Sequence, residues 1–334
     1  MTDALWHSFL TLVLAGLWER DTQLPESLDA EQWRQLLEAG LDQAVVGLLI
    51  RGASHLPAGQ QPDERNLATL QAGQKALQRT GARIAAVQAQ LLAVLSEAGV
   101  HPLVQKGSEA AKYYLVPGMR QGGDIDLYCP EFDRARALFP QARTAPDGAA
   151  VFAREGVTVE LHPRYYDVHV DPAKLPVPGT PVAEILLLTG HLFKHAVGAG
   201  VGLKQCCDVV RALASLDDKY DKAALQAALN VAGMQRWHRL LCSLLVADLG
   251  LDPACCLPGF RPADPEPLRR IIRTGGLFGQ SDPARLEALG AGPLRRKAAT
   301  AAALLGRLPF SLRLAPREAF ATIGELVRGN FRRL

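Results

Sequence analysis

The stretch Gly123-Asp124-Ile125-Asp126-Leu127 constrains this chain more than any other. Acidic and apolar residues alternate in it, which is the period of a strand with one polar and one buried face. Asp124 and Asp126 then stand side by side, while Ile125 and Leu127 pack inward. Two like charges that close repel each other, and unless protonated they need a counter-charge. Hard cations with oxygen ligands supply one, and Mg²⁺ is the usual occupant beside phosphates. The spacing therefore predicts a strand that holds divalent metal, and a sheet to keep that strand in place.

Lys106-Gly107-Ser108 ends fifteen residues ahead of Gly123. A short apolar run, Pro102 to Gln105, precedes this turn and a helical pattern from Glu109 to Leu115 follows it, so the turn joins a strand to a helix. Gly107 admits a phosphate, Ser108 caps the helix or donates a hydroxyl, and the helix N-terminus offers free N–H groups to an anion. Lys106 is either a point charge for phosphate or an exposed strand-end lysine. In Thr158-Val159-Glu160-Leu161-His162 the same alternation puts Glu160 and His162 on one face, and Glu160 is the expected third carboxylate. Three such groups suit a pair of Mg²⁺ ions, one holding a triphosphate and one lowering the pKa of an acceptor hydroxyl.

The surroundings are helical. Residues 1–98 carry apolar positions at three- and four-residue steps, as in Ile84, Val87, Leu91 and Val94, with Gly99 placed to end the last helix. Ser54 to Pro62 reads as a loop. Short apolar segments, Ile125 to Cys129, Val151 to Ala153 and Val157 to Leu161, alternate with a helical pattern over Glu131 to Phe139. Asp171 to Pro181 holds four prolines and leads out of this middle region. Helical periodicity resumes over Val182 to Val197, Gln205 to Leu216, Lys222 to Ala232 and Gln235 to Leu249, and continues beyond the Pro/Gly-rich Pro253 to Pro267. The predicted fold is α+β and predominantly helical: an N-terminal helical region (1–98), a small mixed-sheet α/β core (99–170) and a C-terminal helical domain (182–334).

Lys106-Gly107-Ser108, Tyr113-Tyr114, Arg120 and Gly123-Asp124-Ile125-Asp126-Leu127, followed by Glu160-Leu161-His162 and then Gly202-Leu203-Lys204-Gln205-Cys206-Cys207-Asp208, resemble the bacterial "uncharacterised nucleotidyltransferase" family of the DNA polymerase beta-like superfamily. A histidine-bearing helix like His191 to His195 precedes that last element. The resemblance covers about residues 95 to 215. It implies a nucleotidyltransferase core, metal ligation by Asp124 and Asp126, and transfer of a nucleoside monophosphate from an NTP with release of pyrophosphate. Lys106, Gly107, Ser108, Arg120 and Lys204 are the expected nucleotide contacts. Lys204 stands where the family pattern often has Arg, which keeps the charge and loses the bidentate fork. The Ser108 to Asp124 spacing is slightly longer than the minimal superfamily pattern.

Several residues keep alternative readings. His162, His191, His195 and Asp208 are possible acceptor or phosphate contacts. His191 and His195 otherwise pack as hydrogen-bonded histidines, or bind a transition metal together with Glu184. Asp208 pairs with Lys204 or Arg211, and Arg120 either steadies a phosphate or forms a surface salt bridge. Tyr113 and Tyr114 are packing residues or a base-stacking platform. A peptide or small-molecule acceptor is favoured over RNA. The alternatives are a toxin-type tRNA nucleotidyltransferase, which pairs a similar K-G turn with a D-I-D strand, and a non-catalytic nucleotide-binding protein.

Composition excludes other classes. Hydrophobic residues at 48% and charged residues at 21% are ordinary globular usage. No apolar run reaches the roughly 18 to 20 residues of a membrane span, and the segment from Ser8 to Leu17 lacks a basic leader, so a cytoplasmic protein is expected. The six cysteines include two adjacent pairs, which suit buried thiols rather than a zinc knuckle or a disulfide framework. Residues 295–334 hold nine Lys/Arg against Glu318 and Glu325, so a chain of net charge +3 divides into a tail at +7 and a remainder near −4. That tail is either a solvated helix face or a contact for nucleic acid, an acidic peptide or a membrane surface.

Overall fold

A computed structural model describes residues 1–198, 200–276 and 293–331. Four helices come first: α1 (Asp3–Trp18), α2 (Ala30–Asp42), α3 (Val46–Ala53) and α4 (Glu64–Glu97). Thr2, Asp29 and Asp63 cap α1, α2 and α4 by accepting backbone N–H groups that a helix start leaves unpaired. α1 and α3 cross with their backbones nearly touching. A Cβ on Gly16 would stand 2.1 Å from the Leu48 carbonyl oxygen, and one on Gly52 would stand 1.9 Å from that of Leu12.

The sheet follows, built from β1 (Leu103–Gln105), β2 (Asp124–Tyr128), β3 (Arg143–Thr144), β4 (Ala150–Arg154) and β5 (Val157–His162). The strand order is β1-β2-β5-β4-β3, with β2 and β5 parallel and the other pairs antiparallel. Two short helices interrupt it, α5 (Gly107–Ala111) and α6 (Phe132–Ala137). α5 starts two residues earlier and ends four residues sooner than the expected Glu109 to Leu115. β3 was not anticipated, since two residues show no alternation.

Seven further helices complete the described chain: α7 (Pro181–Val197), α8 (Leu203–Leu216), α9 (Lys222–Ala232), α10 (Gln235–Leu249), α11 (Glu266–Gly275), α12 (Pro293–Leu314) and α13 (Pro316–Phe331). This is the α+β, predominantly helical fold expected from periodicity. α7 starts with Pro181 behind the cap residue Thr180, where a missing N–H costs nothing.

Buried side chains form two clusters. In one, Ile84, Val87, Leu91 and Leu95 of α4 pack on Ile125, Leu127, Val159 and Leu161 of the sheet. In the other, α1 to α3 share a core with α7 to α11, around Phe9, Trp33, Phe193 and Trp237. Gln43 stitches this second core across the chain: its amide donates to the Ile272 carbonyl at 2.9 Å and accepts from the Leu203 N–H at 2.9 Å. Five cysteines are buried and Cys255 is partly so, all as free thiols. No helix among the described residues is long and apolar enough to cross a membrane. Of the basic tail, the side chains of Arg295, Arg296, Lys297, Arg328, Arg332 and Arg333 lie outside the described residues.

Candidate active site

Strand register brings the expected carboxylates together. With Ile125 and Leu127 committed to the α4 face, Asp124 and Asp126 face the opposite side of β2. Parallel pairing sets Asp126 across from Glu160 and Tyr128 across from His162. His162 Nε2 lies 2.8 Å from Asp126 Oδ1 and 3.6 Å from Glu160 Oε2. One ligand atom from each of Asp126, Glu160 and His162 falls within 4.8 Å of the others. Asp124 lies outside that close group and lines the same cavity, of about 310 Å³.

Lys106 is buried rather than exposed. It has φ of +47°, a left-handed conformation that costs a non-glycine residue about 1 to 3 kcal/mol and persists only where the surroundings enforce it. Its Nζ lies 3.6 Å from Asp126 Oδ1 and 3.3 Å from Asp167 Oδ2. Burial disfavours the ammonium, yet the two carboxylates outweigh it and raise the Lys106 pKa above the usual lysine value. The same balance, burial against Lys106 and His162, holds the Asp126 carboxyl well below the usual range. Glu160 moves the other way, raised by burial and by the neighbouring Asp126.

Asp167 is the hub of a second group. It lies 3.0 Å from Lys194 Nζ and 2.7 Å from His191 Nδ1, and Lys194 also reaches Asp147 at 2.9 Å. His195 Nε2 is 3.0 Å from His191 Nε2. Burial lowers the pKa of both histidines, with Lys106 adding to the effect on His191 and His191 to that on His195. They enter the cavity wall, and Glu184 does not join them: it packs beside Glu109 in a separate small cavity, where burial and that neighbour push its carboxyl up to about 7.

On the far wall, Arg120 makes a bidentate pair with Asp208, at 2.7 and 2.8 Å, and the Tyr114 hydroxyl donates to the same carboxylate at 2.7 Å. This replaces the anticipated partners of Asp208. Arg211 instead donates to the Tyr113 carbonyl and stacks over Trp18 at 4.7 Å, which leaves the carboxylate to the planar fork of Arg120. Nor is Arg120 a surface ion pair, with its side chain only 5% exposed. Lys204 faces the cavity, and among the described residues it makes no ion pair; burial and the nearby Arg120 lower its pKa. Gly107 lines the cavity beside Asp124, whereas the Ser108 hydroxyl turns away and donates to Gln88 of α4.

Donors of this kind suit a divalent cation: two carboxylates and an imidazole converge, Asp124 stands alongside, and Lys106 holds the place of a positive charge between carboxylates. Among the described residues no cysteine joins such a group. A cavity of about 670 Å³ elsewhere, lined by Arg236, Arg239, Arg313 and Phe310, has Asp264 as its one carboxylate and no comparable chemistry.

Asp147, Asp167 and Lys194 belong to the cavity network but escape sequence reasoning. Asp147 sits in a turn before Gly148 and Asp167 in an irregular segment after β5, where no periodicity assigns a direction. Lys194 had a signal, since it lies three residues after His191 on the same helix face.

Neither curated proteins nor solved structures give a match. A family profile does, covering residues 29–249, from α2 through the strand-borne carboxylates to the end of α10, and its description is that of an uncharacterised nucleotidyltransferase. With more than half of its length matched, and with the carboxylates of that region converging in one cavity, the chain belongs to the uncharacterised nucleotidyltransferase family.

Proposed function

We propose that this protein transfers a nucleoside monophosphate from an NTP to an acceptor hydroxyl and releases pyrophosphate. The observation that carries the reading is the convergence of Asp126, Glu160 and His162 in a cavity that also presents Asp124, Lys106, Lys194 and Lys204. Asp124, Asp126 and Glu160, with His162, would hold Mg²⁺, two ions in the full arrangement. Bound there, the metal neutralises phosphate charge and acidifies the acceptor hydroxyl.

The chain's own groups do the rest. Lys204, which makes no ion pair among the described residues, meets the triphosphate, and the Gly107 turn admits the phosphates without a side chain in the way. Arg120, held in place by its bidentate pair with Asp208, which Tyr114 also bonds, is a pre-positioned guanidinium on the cavity wall. The acceptor oxygen attacks the α-phosphorus, the bond to the α–β bridging oxygen breaks, and pyrophosphate leaves with that oxygen. The hydroxyl proton is released to solvent water, its loss eased by the metal that Glu160 helps to hold. The family resemblance favours a peptide or small molecule as acceptor.

Incubation with radiolabelled NTPs and Mg²⁺ tests this. Asp126→Asn and Asp124→Asn should each reduce label transfer, self-modification included, by about 10²- to 10³-fold. Equal transfer by the variants and the wild type would remove the assignment.

A further inference from the structure

The polar cavity is bordered by a second one of opposite character. It measures about 560 Å³ and lies between one face of α4, the Gly107–Ser108 turn and the segment from Pro117 to Gly122. Gly107, Arg120 and Asp124 line both cavities, so the two meet at the Asp124 carboxylate. Beyond that junction no charged side chain lines the second cavity. α4 offers Gly81, Ala82, Ala85 and Ala89 to it, opposite Pro117 and Gly118, while Arg79 and Arg83 leave α4 on other faces.

An NTP has the same division. Its phosphates are a polyanion, and its base is a flat, uncharged ring with donors and acceptors on one edge. The 310 Å³ cavity provides cations for the first, but Leu188 is its one apolar lining residue, so a base there would be desolvated against charge without compensation. The α4 slot provides what the base needs. Small side chains on both walls allow face-on approach of a ring, and two amides line it: Gln78, able to donate and accept, and Gln88, whose oxygen takes the Ser108 hydroxyl and whose NH₂ group can donate. A peptide laid in the slot would leave its backbone groups facing alanine methyls.

We propose that the nucleoside half of the NTP binds in the α4 slot, with the triphosphate passing Asp124 and Gly107 into the polar cavity. This inference rests on the nucleotidyl-transfer reading above and assigns its specificity to α4.

Titration calorimetry in the presence of Mg²⁺ separates the two halves of the ligand. The probes are tripolyphosphate and the tightest binder among ATP, GTP, CTP and UTP. Two variants fill the slot, Ala85→Trp and Gly81→Leu; a Cβ on Gly81 meets nothing within 4 Å, so the second keeps the fold. Ala86→Trp places the same bulk on the exposed neighbouring face, and circular dichroism with thermal melting checks that all three fold. Filling the slot should weaken NTP binding about tenfold or more and leave tripolyphosphate within about twofold, while Ala86→Trp changes neither. Unchanged NTP affinity in both filled variants, or equal loss for tripolyphosphate, overturns the proposal. Failure of the underlying reading looks different, because the wild type would then bind neither probe.

Discussion

Asp167 shows how much of this site is set by single side chains. Its carboxylate reaches the buried Lys106 and the half-buried Lys194 and His191, and burial alone would favour its neutral form. The lysines reverse that preference and hold its pKa far below the usual value, so removing its charge leaves one buried and one half-buried ammonium under-compensated. Asp167→Asn should cost about 3 to 5 kcal/mol of stability in urea unfolding at neutral pH. A loss under about 1 kcal/mol would mean that Asp126 and Asp147 suffice. Nothing in the sequence marks Asp167, because its partners come from β1's turn and from α7, far away along the chain. Asp124, Asp126 and Glu160 were legible for the opposite reason: each sits in a strand, where alternation alone fixes which way a side chain points.

At the scale of elements, two contacts show how helices are held, one within the helical core and one beside the sheet. The crossing of α1 and α3 has no room for a side chain at Gly52, where a Cβ would fall 1.9 Å from a backbone oxygen. Gly52→Ala must push the helices apart and should destabilise by about 3 kcal/mol or more, read from the urea midpoint; a neutral effect would show that the two helices slide freely. The second contact ties α13 to the segment after β5. Glu318 accepts from the His169 backbone N–H and lies 2.9 Å from His169 Nδ1, and Glu325 pairs with Arg164 and stands 3.0 Å from His169 Nε2. Hydrogen bonds to Glu318 and then Glu325 raise the His169 pKa from 6.5 to about 9. A pKa raised by folding stabilises fully below the unfolded value and ceases to do so as pH climbs through the folded one. About 2 kcal/mol, allowing for partial exposure, should therefore be present at pH 6 and disappear between pH 6.5 and about 9. Thermal melting across that window should show the loss in wild type and not in His169→Gln; parallel curves would count against the clamp. Helix positions were readable from apolar periodicity, whereas these contacts were not, since periodicity says that a face is covered and not by what.

For the whole molecule, the order of segments was visible in the chain: helices, a small sheet, a proline-rich exit and helices again. The grouping of those segments into cores was not. α1 to α3 bury their apolar faces with α7 to α11, across the sheet region that separates them in sequence. Gln43 carries part of that closure, and a lone glutamine at a helix end gives no hint of a partner more than 200 residues away. α4 belongs to both cores, with Leu70 in the helical one and Ile84 to Leu95 under the sheet. Its 34 residues make a rod of about 50 Å. With Leu70 in one core and Ile84 to Leu95 in the other, this single helix fixes where the wall beside Asp124 stands relative to the helical core, so the two cores share one backbone reference.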